Sequence, residues 1–152
     1  MKGFSRHVDH INWISRPENL HANVTRLEAL TGLKMQHLDL TAFGFEMYMS
    51  WEGGVGVIAP TGEPSPSNQH LHDWLDERGE GVRSVIFGVA DIESETDRLT
   101  ALGFAVGKEL NDAPGSPWHD KVSIRERPVT AIMNTAFTLG QIFYSDDVVK
   151  VL

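Results

Sequence analysis

A duplicated strand–helix–glycine pattern is the feature that most constrains how this chain can fold. The first copy runs from an alternating strand at 8–15 through a helix to Gly32, and the second runs from an apolar strand at 82–89 through a helix to Gly103. The two copies begin roughly 74 residues apart, a spacing typical of a repeated supersecondary unit. The pattern therefore predicts two related modules, each a strand–helix unit followed by further strands.

Local signals mark the ends of the second copy. Asp91 stands before a run with apolar residues at helical spacing, which is the position of an N-cap, and Gly103 follows the last of them. The run at 82–89 is β-branched and has the length of a buried strand. A short helix that contains Trp74 is predicted before this strand and ends at Gly79.

The remaining segments predict further strands in both modules, separated by turn signals and by a Pro/Ser-rich linker. They favour an α+β fold in one domain over residues 1–152, with module one at about 7–60, a linker at 61–69 and module two at about 70–146. The predicted strands after the first helix are 35–40, 43–51 and 55–59, and those after the second are 104–106, 121–127, 131–137 and 141–145, with a loop at 107–120 and a turn at 138–140.

Composition narrows the function classes. A chain of 152 residues with 41% hydrophobic residues can bury one core, and its net charge of −8 argues against nucleic-acid binding, which needs a basic face. The absence of cysteine excludes disulfides and thiolate metal sites, as is common in a reducing compartment. No signal peptide and no apolar run of membrane length is visible, so we expect a cytoplasmic protein without a membrane partner.

The residues DHINWISRPENL and LDERGEGVRSVIFGVADIESETDRLTALGF open the two copies. Together with the repeated βαβββ order, they resemble the vicinal oxygen chelate superfamily. The resemblance is greatest to the methylmalonyl-CoA epimerase type, in which a turn like the one at 78–81 precedes the second module. The resemblance covers nearly the whole chain and implies two cupped mixed sheets around a cavity, with the helices outside.

The resemblance also implies four metal-ligand positions in the metal-dependent members, which fall here on His10, Gly56, Ser84 and Tyr144. Only His10 is a usual ligand, whereas a divalent ion normally takes three or more protein ligands of suitable type. We therefore expect no metal and no other cofactor. By the resemblance, this protein would be a member of the superfamily that has lost the ion that usually stabilises the enolate.

Strand alternation predicts the cavity lining, if Phe45, Val55 and Val85 pack under the helices. The catalytic candidates are His10 and Glu46 as proton carriers and Tyr144 as a donor to an oxyanion. The candidates for substrate binding are pocket-facing residues, one loop residue and one strand arginine: Asn12, Tyr48, Gly56, Ile58, Ser84, Ile86, Trp118 and Arg125.

Structural roles account for the same residue types. His10 fits a hydrogen-bonded core histidine, and His7, three positions earlier on a strand, is predicted on the opposite face and not as its partner. Glu46 and Tyr48 fit an exposed strand face. Trp118 fits a loop anchored by an aromatic ring, and Arg125 fits a solvated strand surface.

Three functions are compatible with this sequence. The first is a metal-independent isomerase, epimerase or lyase that acts on a carbonyl-bearing metabolite. The second is a non-catalytic protein that sequesters a hydrophobic or aromatic compound, and the third is a metal-dependent enzyme whose ligands lie elsewhere. A small molecule is the expected partner in each case, and a homodimer is the expected assembly; the lack of a basic cluster argues against a CoA ester.

Overall fold

The computed structural model describes residues 6–111 and 115–148, which form eight strands, three α-helices and two short 3₁₀ helices. The α+β class predicted from the sequence is confirmed. No helix in these two ranges has the length and apolar character needed to cross a membrane. In chain order the elements are β1 His7–Ile14, α1 Leu20–Thr31, β2 Gln36–Leu40, β3 Phe45–Ser50, β4 Val55–Pro60, α2 Gln69–Arg78, β5 Gly81–Gly88, α3 Ile92–Ala101, β6 Leu110–Asn111, β7 Val122–Ile132 and β8 Thr135–Tyr144.

The chain divides into two compact units. The first unit consists of Met1–Ile11 and Ser84–Leu152, and the second of Asn12–Arg83, so that β1 contributes residues to both. Strands in the first unit follow the order β1, β5, β8, β7, β6, and those in the second follow β2, β3, β4, β1. The module boundaries inferred from the sequence repeat stay a prediction.

Two helices cover opposite faces of the strands in the second unit. Helix α1 packs Leu20 and Val24 on Val57 of β4, while Leu71 of α2 packs in a cluster that includes Ile58, the next residue of β4. Neighbouring residues of a strand point to opposite faces, so α1 and α2 lie on different sides of β4. Helix α1 then ends at Gly32, whose φ of 71° is a left-handed conformation that glycine adopts without strain.

The register of the β3–β4 hairpin corrects one predicted face. Its four-residue loop pairs Ser50 with Val55, which places Tyr48 opposite Val57 and Met49 opposite Gly56. Opposed residues of an antiparallel pair share a face. Glu46 and Tyr48 therefore lie on the α1 side, and the expectation that they share a face with Gly56 and Ile58 is wrong; an odd loop length would have been needed.

In the first unit, α3 begins where the sequence indicated. The Asp91 carboxylate accepts hydrogen bonds from the backbone N–H groups of Glu93 at 3.0 Å and Ser94 at 3.2 Å, which confirms the predicted N-cap. Ile92 then packs with Val89 and Leu139 in the core of this unit.

The predicted break at 138–140 is wrong, because β8 continues through it. The chain reverses at Met133 and Asn134, whose φ values of 50° and 56° are left-handed. Gly140 remains in the strand: a Cβ there would lie 2.8 Å from Cγ2 of Ile86, so the missing side chain makes room for that residue. Glycine marks a close approach at this position, not a turn. The strand predicted at 104–106 is reduced to one bridge, between Val106 and Val129.

Candidate active site

A buried aspartate joins two of the predicted site residues in the first unit. The Asp9 Oδ1 atom lies 2.8 Å from His10 Nδ1 and accepts a hydrogen bond of 2.5 Å from the Tyr144 hydroxyl. Only 2% of the Asp9 side chain and 4% of the His10 side chain are exposed. His7 Nε2 lies 3.4 Å from the second carboxylate oxygen. We call these four residues the Asp9 cluster.

The donors around Asp9 define the state of the imidazole. An ionised carboxylate can only accept, so with Asp9 ionised it is His10 Nδ1 that donates in this contact. Burial raises the pKa of Tyr144, and the charge of Asp9 and the hydrogen bond to it raise that pKa further. The phenol is therefore a donor to Asp9 at neutral pH, and its predicted contact with an oxyanion stays a prediction.

Sequence reasoning missed Asp9, because strand alternation assigns it to the face opposite His10. It also separated His7 from His10, whereas both rings contact the same carboxylate. The adjacent Asp–His pair in the sequence was the available signal, since a side-chain hydrogen bond between neighbours does not require a shared face.

The other predicted residues of the first unit have structural partners of their own. Ser84 and Ile86 are buried in β5, and Ile86 lies against Gly140 of β8. Trp118 is half-buried and its carbonyl oxygen accepts hydrogen bonds from the backbone N–H groups of Lys121 and Val122, which form the turn into β7. Part of the predicted 107–120 loop, residues 112–114, lies outside the described residues. The binding roles of Ser84, Ile86 and Trp118 stay predictions.

Arg125 is held by two carboxylates. Its Nε donates to Glu109 at 2.6 Å, and one Nη donates to Glu93 at 2.7 Å. The hydrogen bonds that Arg125 donates to Glu109 and then to Glu93 raise its pKa, and the bond from Arg125 lowers the pKa of Glu109. A ligand carboxylate would have to displace these partners, so contact with substrate stays a prediction for Arg125.

In the second unit, Asn12 and Gly56 meet at close range. The Asn12 Oδ1 atom occupies the space of a Gly56 side chain, 2.2 Å from where a Cβ would stand. This oxygen is buried, and no hydrogen bond reaches it from the described residues. Ile58 packs with Ile14 and helix α2. Among the predicted binding residues of the second unit, Asn12 therefore has a buried polar atom without a hydrogen-bond partner within the described residues.

Glu46 makes a different contact. Its Oε2 atom lies 3.0 Å from Nε2 of His37, and 31% of its side chain is exposed. The His37 ring in turn lies 4.8 Å from the ring of Tyr48. Tyr48 packs against the cluster of Leu20, Val24, Val57 and Ala59, which we call the α1 cluster. This surface pair on the α1 side favours the structural interpretation of Glu46.

An apolar cavity of about 280 Å³ also lies in the second unit, beside α1. Most of its wall is hydrophobic, with polar groups at Ser15, Asn23, Arg26 and Glu80. The volume is near the lower end for small-molecule sites. The further lining residues are Trp13, Ile14, Leu27, Leu30, Val57 and Gly81.

Glu80 holds the turn between α2 and β5 to the segment after β1. Its Oε1 atom accepts hydrogen bonds from the Arg16 backbone N–H at 2.8 Å, the Asn19 amide at 3.0 Å and the Ser15 hydroxyl at 3.2 Å. The Asn23 amide completes the set at 3.4 Å. We call this arrangement the Glu80 latch, and it explains the Arg-Gly-Glu-Gly turn as a structural feature.

Comparison with solved structures identifies the fold. A methylmalonyl-CoA epimerase from Mycobacterium tuberculosis has a TM-score of 0.66 and 17% identity, over 93% of this chain and 92% of that one. A variant of the Streptomyces coelicolor methylmalonyl-CoA epimerase in complex with 2-nitronate-propionyl-CoA has a TM-score of 0.65 and 22% identity, over 90% and 96%. The chain has the vicinal oxygen chelate fold.

A hypothetical protein from Bacillus halodurans C-125 is also similar, with a TM-score of 0.71 and 16% identity over 95% of this chain and 99% of that one. No family model and no curated protein matches the sequence. Structural similarity therefore confirms the fold predicted from the sequence resemblance. Sequence identities this low do not support the transfer of an activity.

The donors at the ligand positions of the vicinal oxygen chelate fold do not fit a divalent ion. His10 is a suitable ligand, since a carboxylate on Nδ1 is compatible with a metal on Nε2, but the Tyr144 hydroxyl donates to Asp9 and Ser84 is a neutral donor. Gly56 contributes no side chain. Across the two described ranges, no three His, Cys, Asp or Glu side chains are grouped so that they could hold a metal ion.

Proposed function

We propose that this protein is a metal-independent epimerase or isomerase acting on a small carbonyl-bearing molecule, with His10 as the proton carrier. The buried Asp9–His10 pair supports this most directly. A carboxylate on Nδ1 fixes the ring, selects the tautomer with a basic Nε2 and stabilises the imidazolium that forms on proton uptake.

The proposed reaction is proton abstraction next to a carbonyl group. His10 Nε2 takes the proton from carbon, the C–H electron pair moves to form the enolate, and the carbonyl oxygen carries the negative charge. Exchange of the imidazolium proton with solvent before reprotonation of the same face gives isotope exchange. A proton delivered from solvent to the opposite face of the same carbon gives epimerisation, and delivery to a neighbouring carbon gives isomerisation. Asp9 stays ionised throughout and compensates the imidazolium charge.

The comparisons support the substrate class. Solved epimerases of this fold are described in complex with methylmalonyl-CoA and with 2-nitronate-propionyl-CoA, both acyl thioesters. Methylmalonyl-CoA is therefore the first probe for this protein, followed by a panel of small ketones, 2-oxo acids and thioesters with an acidic C–H group.

The test is deuterium uptake from D₂O into each probe, measured by mass spectrometry with a chelator present. We expect His10→Ala and Asp9→Asn to lower the exchange rate on the accepted probe, His10→Ala by about a hundredfold or more, the scale of a lost general base. Glu46→Gln is the matched control, because this second predicted proton carrier lies on the α1 side, and we expect a change of less than about twofold.

Three results would contradict the proposal. One is a hundredfold loss in Glu46→Gln with an active His10→Ala variant. Another is loss of exchange on chelation that zinc or cobalt restores. The third is a probe that raises the melting temperature but never exchanges, which would favour the sequestration function.

A further inference from the structure

Helix α2 carries a histidine, a tryptophan and an arginine along one side. His70, Trp74 and Arg78 recur every four residues, a spacing that aligns side chains on a helix. The guanidinium carbon of Arg78 lies 4.1 Å from the centroid of the Trp74 ring, and that of Arg83 in β5 lies 5.6 Å from it. Both distances are within cation–π range, so two cations gather at one indole.

Arg83 is the member of this group that lacks a compensating charge. Its Nε is buried and has no hydrogen-bond partner within residues 6–111 and 115–148, and no carboxylate in those ranges forms an ion pair with it. Burial lowers the pKa of Arg83, but a guanidinium stays charged at neutral pH. A partly buried charge without a counter-ion is costly, and an anion would offset that cost.

The acidic groups nearby are directed elsewhere. Asp73 accepts a hydrogen bond from Gln69 at 2.7 Å, and Glu80 is occupied by its latch. The charge of Arg83 does reach His70: loss of hydration lowers the pKa of that exposed ring, the positive charge of Arg83 lowers it further, and Asp73 raises it. Two guanidinium groups therefore lie within cation–π distance of Trp74, on a chain whose net charge is −8.

We propose that Arg83 and the Trp74 ring form a binding site for a small oxyanion, the carboxylate or phosphate group of a small-molecule ligand, with Arg78 as a second cation. The planar guanidinium presents parallel N–H donors that match the oxygens of either group. The indole packs against the cluster of Ile14, Leu71 and Leu75, so it holds the two guanidinium groups at one place. No residue of this site belongs to the Asp9 cluster, so the site stands or falls independently of the proposed reaction.

The test uses the full chain, titrated separately with inorganic phosphate and with acetate against sodium chloride of matched ionic strength. The indole N–H signal of Trp74 and the ring signals of His70 are followed by NMR. We expect saturable shifts with at least one of the two anions, and the stronger one identifies the source. Arg83→Met should weaken that binding by about tenfold or more. Arg98→Met is the matched control, because Arg98 pairs with Glu95 on α3, and it should bind as the wild type does.

Thermal unfolding separates a binding role from a structural one. In chloride buffer, Arg83→Met should unfold at the same temperature as the wild type or a higher one, because methionine keeps the packing of the stem and removes an uncompensated charge. The bound anion should raise the wild-type midpoint and leave that of Arg83→Met unchanged. The proposal is overturned if neither anion gives saturable shifts, or if Arg83→Met lowers the midpoint strongly in chloride while both anions leave the wild type unaffected.

Discussion

At the residue scale, the Asp9 carboxylate determines what His10 can do. The same carboxylate oxygen contacts His10 Nδ1 and accepts a hydrogen bond from the Tyr144 hydroxyl. Two predicted catalytic residues are therefore linked by a third residue that the sequence pattern did not indicate. A carboxylate on Nδ1 fixes the orientation of the ring for a general base and for a metal ligand alike, so a metal titration is needed to separate the two roles. Tyr144 donates to Asp9, and its contact with an oxyanion stays a prediction.

The variant Tyr144→Phe keeps the ring and removes the hydroxyl. We expect the free energy of unfolding to fall by about 1–2 kcal/mol, since a buried carboxylate loses a donor. The raised pKa of Tyr144 also sets a pH window. The hydroxyl contributes its full stability below a pH of about 10, where unfolded tyrosine begins to ionise, and loses it as the pH rises further.

Denaturant titrations of both proteins from neutral to alkaline pH measure this difference. The gap between wild type and Tyr144→Phe should shrink above a pH of about 10. Tyr48→Phe, in the α1 cluster, is the control. A gap that stays constant across the range would argue against the bond to Asp9.

At the element scale, helices and caps were predictable and strand registers were not. Asp91 and Gly32 act locally, so their sequence signals suffice. The face of Tyr48 depends instead on the parity of a loop, and no periodicity within β3 reports it. The turn predicted at Gly140 was wrong because glycine has two roles that the sequence does not distinguish. It can make room for a neighbour, here Ile86, or it can allow the chain to reverse.

The turn between β7 and β8 offers a stabilising substitution. Met133 adopts a φ of 50°, which strains the backbone of a residue with a Cβ, and its side chain packs little because 89% of the residue is exposed. Met133→Gly should raise the free energy of unfolding by about 0.5–1 kcal/mol, as glycine adopts this conformation freely. Met133→Ala retains the Cβ and should show no gain in the same denaturant titration; an equal gain in both would contradict the strain.

The hydrogen bonds of the Glu80 latch should make a pH-dependent contribution to the free energy of unfolding. Desolvation raises the pKa of Glu80, but the bonds from Asn19, Arg16, Ser15 and Asn23 together lower it, so the ionised form is favoured in the folded state. Glu80→Gln should cost about 1 kcal/mol at neutral pH, a modest value because the carboxylate is solvent-exposed.

This cost should be present above a pH of about 4.3, the value of an unfolded glutamate, and disappear as the pH falls through the lowered folded pKa. Chemical unfolding of Glu80→Gln and of the exposed control Glu77→Gln, at several pH values, measures it. Equal effects of the two substitutions at neutral pH would show that the latch contributes nothing.

At the scale of the whole molecule, the sequence predicted the fold and left the site incomplete. The repeat and the resemblance identified the vicinal oxygen chelate fold, because both depend on the order of elements. The site depends on contacts between distant segments, such as Asp9 with Tyr144 or Trp74 with Arg83, which no single segment encodes. The gathering of Arg78 and Arg83 at Trp74 also weakens the argument from composition against an anionic ligand.

The central claim is that Asp9 holds His10 as a proton carrier and not as a metal ligand. The most direct measurement is ¹⁵N NMR of the His10 ring in chelator-treated protein, before and after one equivalent of zinc. We expect a proton on Nδ1 that exchanges with water faster in Asp9→Asn than in the wild type, and we expect zinc to leave the His10 signals unchanged. A stoichiometric zinc shift at His10, or a bare Nδ1 in the wild type, would contradict it.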